Sequence, residues 1–126
     1  MRKYIFGLFC LLLLSNSLKA QDYNLNSTDR LDIIAWNTEW LGDVKNGPSN
    51  EPIQMSNVLK VIKNYNADIV GLCELSSDQA WTDLIKNLPE FAGVRSTWSQ
   101  TQKTALLFKK DQFELVYQKH ILDKYD

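Results

Sequence analysis

Two nearly continuous apolar runs, residues 31–41 (LDIIAWNTEWL) and 68–75 (DIVGLCEL), constrain this chain more than any other feature. Short runs rich in β-branched and aromatic residues are expected to be strands covered on both faces. Between them, Met55, Val58, Leu59, Ile62 and Tyr65 recur at helical spacing within residues 51–66. Ser49 or Asn50 can cap that helix, and Pro52 falls in its first turn, where the missing N–H costs nothing. Residues 42–50 (GDVKNGPSN) form a loop by their Gly, Pro and Asn content. Strand, helix, strand predicts a right-handed crossover and two parallel neighbouring strands whose C-terminal ends share one edge.

After the second strand, Ser76 and Gln79 have capping-box spacing and open a helix with Trp81, Leu84, Ile85 and Leu88 on one stripe, ended by Pro89. Residues 94–98, 103–109 and 113–118 are short strand-like runs divided by polar turns, which predicts an antiparallel meander, and a further strand starts at 120–122. At the other end, residues 1–20 have the layout of a signal peptide: Arg2 and Lys3, an apolar stretch at 5–14, and an exit at Leu18-Lys19-Ala20. Ten apolar residues are too few for a membrane-spanning helix. The expectation is a secreted or periplasmic protein cleaved after Ala20. Residues 21–30 form a polar tether, in which Asn26-Ser27-Thr28 matches a glycosylation sequon or simply continues the linker.

Removing residues 1–20 leaves 106 residues with 11 basic and 15 acidic side chains, a net charge of −4. A strongly basic footprint for nucleic acid is thereby excluded, and phosphate chemistry would need a local site. Cys10 falls in the leader, so Cys73 has no intramolecular partner and an apolar core must hold the domain.

Polar residues in the two apolar strands are the candidates for chemistry. Asn37 and Glu39 are two apart on one face near the end of the first strand, and Glu74 occupies the equivalent end of the second. In adjacent strands they converge at the carboxyl edge, where open α/β sheets place their sites. A hard cation such as Mg²⁺ would satisfy these oxygens, together with water and substrate phosphate. Against this, a Glu at a strand end also emerges into solvent or caps the next helix, and an Asn there begins a turn. Trp36 and Trp81 fall on apolar faces and belong to a core, whereas Trp40 and Trp98 are open between core and base stacking. Lys103, Lys109 and Lys110 form a basic group that either contacts phosphate or is ordinary surface.

The runs IIAWNTEWL and DIVGLCEL resemble the first two motifs of the endonuclease/exonuclease/phosphatase superfamily, with Trp36-Asn37 matching its Trp/Phe-Asn pair and Asp68-Ile69-Val70 followed by Cys73-Glu74 matching its Asp-Ile-Val…Gln-Glu. Residues 103–116 (KTALLFKKDQFELV) are similar to the next strand pair. The superfamily includes secreted deoxyribonucleases, abasic-site nucleases, inositol-phosphate phosphatases and bacterial sphingomyelinases. The resemblance implies a fold class of α/β (α+β), with residues 31–126 as the N-terminal half of a four-layer α/β/β/α sandwich of mixed sheets. It implies a metal-dependent phosphodiesterase, most nuclease-like, in which Mg²⁺ (or Mn²⁺) activates a water. The substrate would be a nucleic acid or a phospholipid head group. Asn37 and Glu74 would then be catalytic residues at the metal, Glu74 as ligand and Asn37 orienting the phosphate.

Three departures qualify that implication. Cys73 stands where the superfamily has Gln, as a small buried thiol. Glu39 has no strict counterpart and is either surface or a support behind the metal ligands. The superfamily's Asp-x-Asn and its terminal Ser-Asp-His, which supplies the general base, do not occur in these 126 residues, and His120, the only histidine, has a different setting. The isolated chain is therefore expected to be inactive, either as part of an enzyme or as a non-catalytic remnant or binding module.

Overall fold

The structure is a computed structural model that describes residues 29–119. The signal-peptide segment, most of the tether with its sequon, and His120 with the strand start at 120–122 lie outside the described residues. The elements run β1 (Ile33–Leu41), α1 (Glu51–Tyr65), β2 (Ile69–Leu75), α2 (Asp78–Asn87), β3 (Phe91–Arg95) and β4 (Lys103–Lys109). No helix among the described residues is long and apolar enough to cross a membrane.

Helix α1 starts where Asn50 Oδ1 accepts the Ile53 N–H at 3.2 Å, with Pro52 in the first turn. It stops at Asn66, whose left-handed backbone (φ 48°) lets its N–H reach Ile62 O. Asn tolerates that conformation better than most residues. Met55, Val58, Leu59 and Ile62 face the core, but Tyr65 is exposed, because the chain is already leaving the sheet there. Helix α2 is capped one residue later than the capping box predicts. Ser77 Oγ accepts the Ala80 N–H at 3.0 Å, and Gln79 turns outward to Asp83. Ser77 holds the extended backbone a cap requires (φ −134°, ψ 151°), which decides between the two serines.

The four strands form one mixed sheet in the order β1-β2-β4-β3. β1 and β2 are parallel, as the crossover demands, and β4 is antiparallel to both β2 and β3. The second half is thus antiparallel but not a simple meander. Helix α2 carries the chain past the free edge of β2, β3 is laid down outermost, and the return strand β4 fills the gap. Residues 113–118, expected as a strand, form none. After Lys109 the chain turns, with Gln112 and Phe113 N–H groups on Lys109 O, and where it passes the outer strand β3 it is the Gln118 side chain, through Nε2 on Arg95 O at 3.2 Å, that makes the contact.

Both helices cover one face of the sheet. Val70, Leu72, Ala105 and Leu107 point into this layer with Val58, Ile62, Leu84 and Leu88, all at most 7% exposed. Gly93 permits the close approach of α2, since a Cβ there would lie 2.8 Å from the Trp81 ring. The opposite face is open over much of its area among the described residues, contrary to the expectation of strands covered on both sides, although Phe108 on it is 7% exposed. Register partners Ala35, Gly71, Leu106 and Val94 form one row across it, and Asn37 and Cys73 begin the next. Ile33 is 62% exposed and Leu106 39%, so the apolar character that suggested double burial is spent on an uncovered surface. Cys73, expected as buried filler, is exposed there.

The edge of the sheet away from the C-terminal ends of β1 and β2 is pinned by Asp68. Its carboxylate accepts the Asp32 N–H at 2.9 Å and pairs with Lys109 Nζ at 3.2 Å, with both side chains largely buried. The Asp32 N–H foremost, then Lys109, hold the Asp68 carboxyl below the usual aspartate range despite the opposing effect of burial.

Candidate functional site

The carboxyl edge of β1 and β2 departs from regular strand geometry on both strands at the same level. Register runs evenly to Asn37 opposite Cys73 and resumes at Leu41 opposite Leu75. Residues 38–40 of β1 therefore face the single residue Glu74 of β2. Glu39 (φ 54°), Trp40 (φ 56°) and Glu74 (φ 59°) all adopt left-handed backbone, which L-residues enter at a cost of roughly 1–2 kcal/mol each. Strain of this kind persists only where the surroundings impose it, and bulges at strand ends redirect the side chains they carry.

The surroundings are visible in the hydrogen bonds. Buried Thr38, 2% exposed, donates through Oγ1 to Cys73 O at 2.8 Å and ties the two strands together beside the kink. Asn37 Oδ1 accepts the Glu39 N–H at 2.8 Å. This bond settles which end of the amide faces inward: the oxygen closes the turn, and both Nδ2 hydrogens remain for another acceptor. From α1, Gln54 Nε2 donates to Thr38 O at 2.8 Å and to Glu39 O at 2.7 Å. The following loop is held by Glu51 Oε2 on the Gly42 N–H and by Asp43, whose oxygens accept from Lys45 and Asn46. The Asn46 side-chain amide first, then the backbone N–H groups, lower the Asp43 carboxyl from its ordinary value.

Asn37 is exposed on the open face, and Glu74 is half-buried directly after Asn37's register partner Cys73. Glu39 is exposed, and its backbone rather than its carboxylate enters the local network. A cleft of about 310 Å³ lies along the outer side of β1, lined by Trp36, Asn37, Glu39, Asn50, Ile53 and Gln54. Of the basic group, Lys109 is engaged by Asp68 and Lys103 Nζ by Trp98 O, which leaves only Lys110 of the three exposed and outside such a contact. Trp36 and Trp81 pack on the core as expected, while Trp40 and Trp98 are half-buried.

Thr38 and Gln54 are the residues that sequence reasoning passed over. A signal for Gln54 exists: with Val58 and Ile62 it forms an i, i+4, i+8 stripe, so a polar amide stands on the buried side of α1.

Two solved structures share this arrangement of strands and helices. TDP2 from C. elegans superposes with a TM-score of 0.52 at 24% identity, over 64% of this chain and 23% of that one. An endonuclease/exonuclease/phosphatase from Bacteroides vulgatus superposes with a TM-score of 0.55 at 21% identity, over 68% of this chain and 33% of that one. The described residues thus share the fold of part of these structures, one of which is an endonuclease/exonuclease/phosphatase. The present chain spans about a quarter to a third of the length of these structures. No family model and no curated protein sequence matches it. The mixed four-stranded sheet with its two helices meets the α/β class expected from the sequence.

Among the described residues, no three His, Cys, Asp or Glu side chains stand together as a metal cage. Glu74 is a single carboxylate at the strand edge. That suits one protein ligand of Mg²⁺, which keeps several waters and is often held through one or two carboxylates plus substrate phosphate. Asn37 Oδ1 is already engaged by Glu39, so the metal role expected of Asn37 is less suited to its geometry than donation from Nδ2.

Proposed function

We propose that this chain is the first part of a secreted, metal-dependent phosphodiester hydrolase, most nuclease-like, with Glu74 as one ligand of Mg²⁺ or Mn²⁺ and Asn37 as a donor to the substrate phosphate. The observation that carries the reading is the paired left-handed kink at the carboxyl edge of β1 and β2, which sets the Asn37 amide and the Glu74 carboxylate at the same end of one sheet. The superfamily fold supports the reaction class, and the name TDP2 belongs to a neighbour and not to this chain. When bound, the cation would supply charge neutralisation at the phosphate and acidify a water.

This chain's own share is binding and orientation. Asn37 Nδ2 has two hydrogens for a phosphate oxygen, and Glu74 gives the cation a fixed anchor. Hydrolysis further requires a general base, and no histidine of the superfamily's kind is present in these residues. The chain alone therefore binds a metal and a phosphodiester weakly and does not turn it over. A nucleic acid is the favoured substrate, and a phospholipid head group is the other class with the same phosphodiester chemistry.

The test is a Mn²⁺ titration of the ¹⁵N-labelled chain. Paramagnetic broadening should appear first at Glu74 and its neighbours and vanish in Glu74→Gln. Broadening that survives Glu74→Gln unchanged would remove Glu74 as the anchor and the proposal with it.

A further inference from the structure

We propose that Gln54 is a positioning residue for Asn37: its side-chain amide locks the left-handed turn at the end of β1 and so fixes the direction of the Asn37 donors. This rests on the reading of Asn37 as a phosphate donor and adds a part to that site on a different element. Gln54 commits both Nε2 hydrogens, one to Thr38 O at 2.8 Å and one to Glu39 O at 2.7 Å. Thr38 O belongs to the same peptide group as the Glu39 N–H, which Asn37 Oδ1 holds at 2.8 Å, and Glu39 O belongs to the next. One helix side chain thus grips the carbonyl on each side of Glu39, and the strand's own Asn37 grips the amide between them.

The turn does not hold itself. Glu39 and Trp40 are consecutive left-handed non-glycine residues (φ 54° and 56°), a conformation that relaxes toward extended backbone unless it is restrained. Relaxation would move the Glu39 N–H away from Asn37 Oδ1, and the amide would then rotate freely. Gln54 Oε1 is buried without a hydrogen-bond partner among the described residues. A buried idle acceptor is costly, so the side chain is placed here for its two donors and not for its oxygen. Helix α1 fixes the grip, because Gln54 lies on the same stripe as Val58 and Ile62, at most 2% exposed.

Amide exchange in the full chain tests this directly. In the wild type, both Gln54 side-chain hydrogens and the Glu39 N–H should be protected. In Gln54→Glu, which keeps the shape and loses the donors, Glu39 exchange should rise by about tenfold or more while core amides such as Leu72 and Leu107 hold. Gln54→Arg, which restores donors and adds no acceptor, should recover part of the protection. Addition of dimethyl phosphate with Mg²⁺ should shift the Asn37 Nδ2 signals in the wild type and in Gln54→Arg but not in Gln54→Glu. Freely exchanging Gln54 hydrogens in the wild type would overturn the proposal, and this holds even if Gln54→Glu does not fold. Unchanged Glu39 exchange in a folded Gln54→Glu would overturn it equally. If the wild-type Asn37 signals ignore dimethyl phosphate while Gln54→Glu still frees Glu39, the grip stands and the phosphodiester reading fails.

Discussion

Replacing Gly42 by alanine should be strongly destabilising, because backbone and space both oppose the added methyl group. Gly42 follows β1 with φ +90°, in a region that L side chains rarely adopt. Its Cβ would fall inside contact distance of Ser77 Oγ, 2.8 Å from Ala80 Cβ and 3.0 Å from Ser77 Cβ. Three costs add here. The left-handed backbone costs roughly 1–2 kcal/mol. Overpacking against Ala80 costs about 1–3 kcal/mol. Displacing Ser77 from the Ala80 N–H costs about 1 kcal/mol for a lost cap. A loss of about 3 kcal/mol or more is expected, out of the 5–15 kcal/mol typical of a domain. Urea denaturation followed by far-UV circular dichroism measures it: with a slope near 1.5 kcal/mol per molar, the midpoint should fall by about 2 M. Gly71→Ala is the control, since its nearest neighbour would be Ile34 O at 3.7 Å and its backbone is ordinary. That change should stay within about 0.5 kcal/mol of the wild type. A Gly42→Ala loss below about 1 kcal/mol would refute the account of the β1–α2 junction.

Other expectations can be checked independently. Leu107→Ala empties a fully buried site between sheet and helices and should cost about 2–5 kcal/mol by the same denaturation assay. Asp68 has its carboxyl lowered in the fold, so its contribution is present above the ordinary aspartate value, near 3.9, and is lost as pH falls through the lower folded value. Stability measured from pH 6 downward should therefore drop in the acid range, and Asp68→Asn should be less stable at neutral pH with a shallower acid slope. In a Cys10→Ser chain, Cys73 should react with an aromatic disulfide reagent without denaturant, because it is exposed. A thiol that stays silent until unfolding would contradict the open sheet face.

The elements were legible where one physical signal governed them. Parallel β1 and β2 follow from two apolar runs around an amphipathic helix, and β4 (Lys103–Lys109) coincides with the apolar run read at 103–109. Residues 113–118 carry the same kind of alternation, yet alternation describes a side chain's preference and does not make the backbone pair: beside β3 it is the Gln118 side chain that reaches Arg95 O. The cap of α2 went to Ser77 and not Ser76 because backbone angles, invisible in the sequence, choose between adjacent serines. At the candidate site, Asn37 and Glu74 were legible as polar residues at strand ends. The kink between them was not, since three consecutive ordinary residues, Thr38, Glu39 and Trp40, contain no glycine to announce a left-handed turn. Gln54 was not legible either, because its partners are backbone carbonyls of β1, which carry no signal in the sequence.

The strand order carries a consequence for how the chain assembles. Among the described residues β4 comes last along the chain and yet is an inner strand, flanked by β2 and β3. Until Lys109 exists, β1–β2 and β3 have no ladder joining them, so the earlier elements are fragments without a shared sheet. Closure of the described sheet is deferred to β4, and a ribosome that withholds it would hold that sheet open.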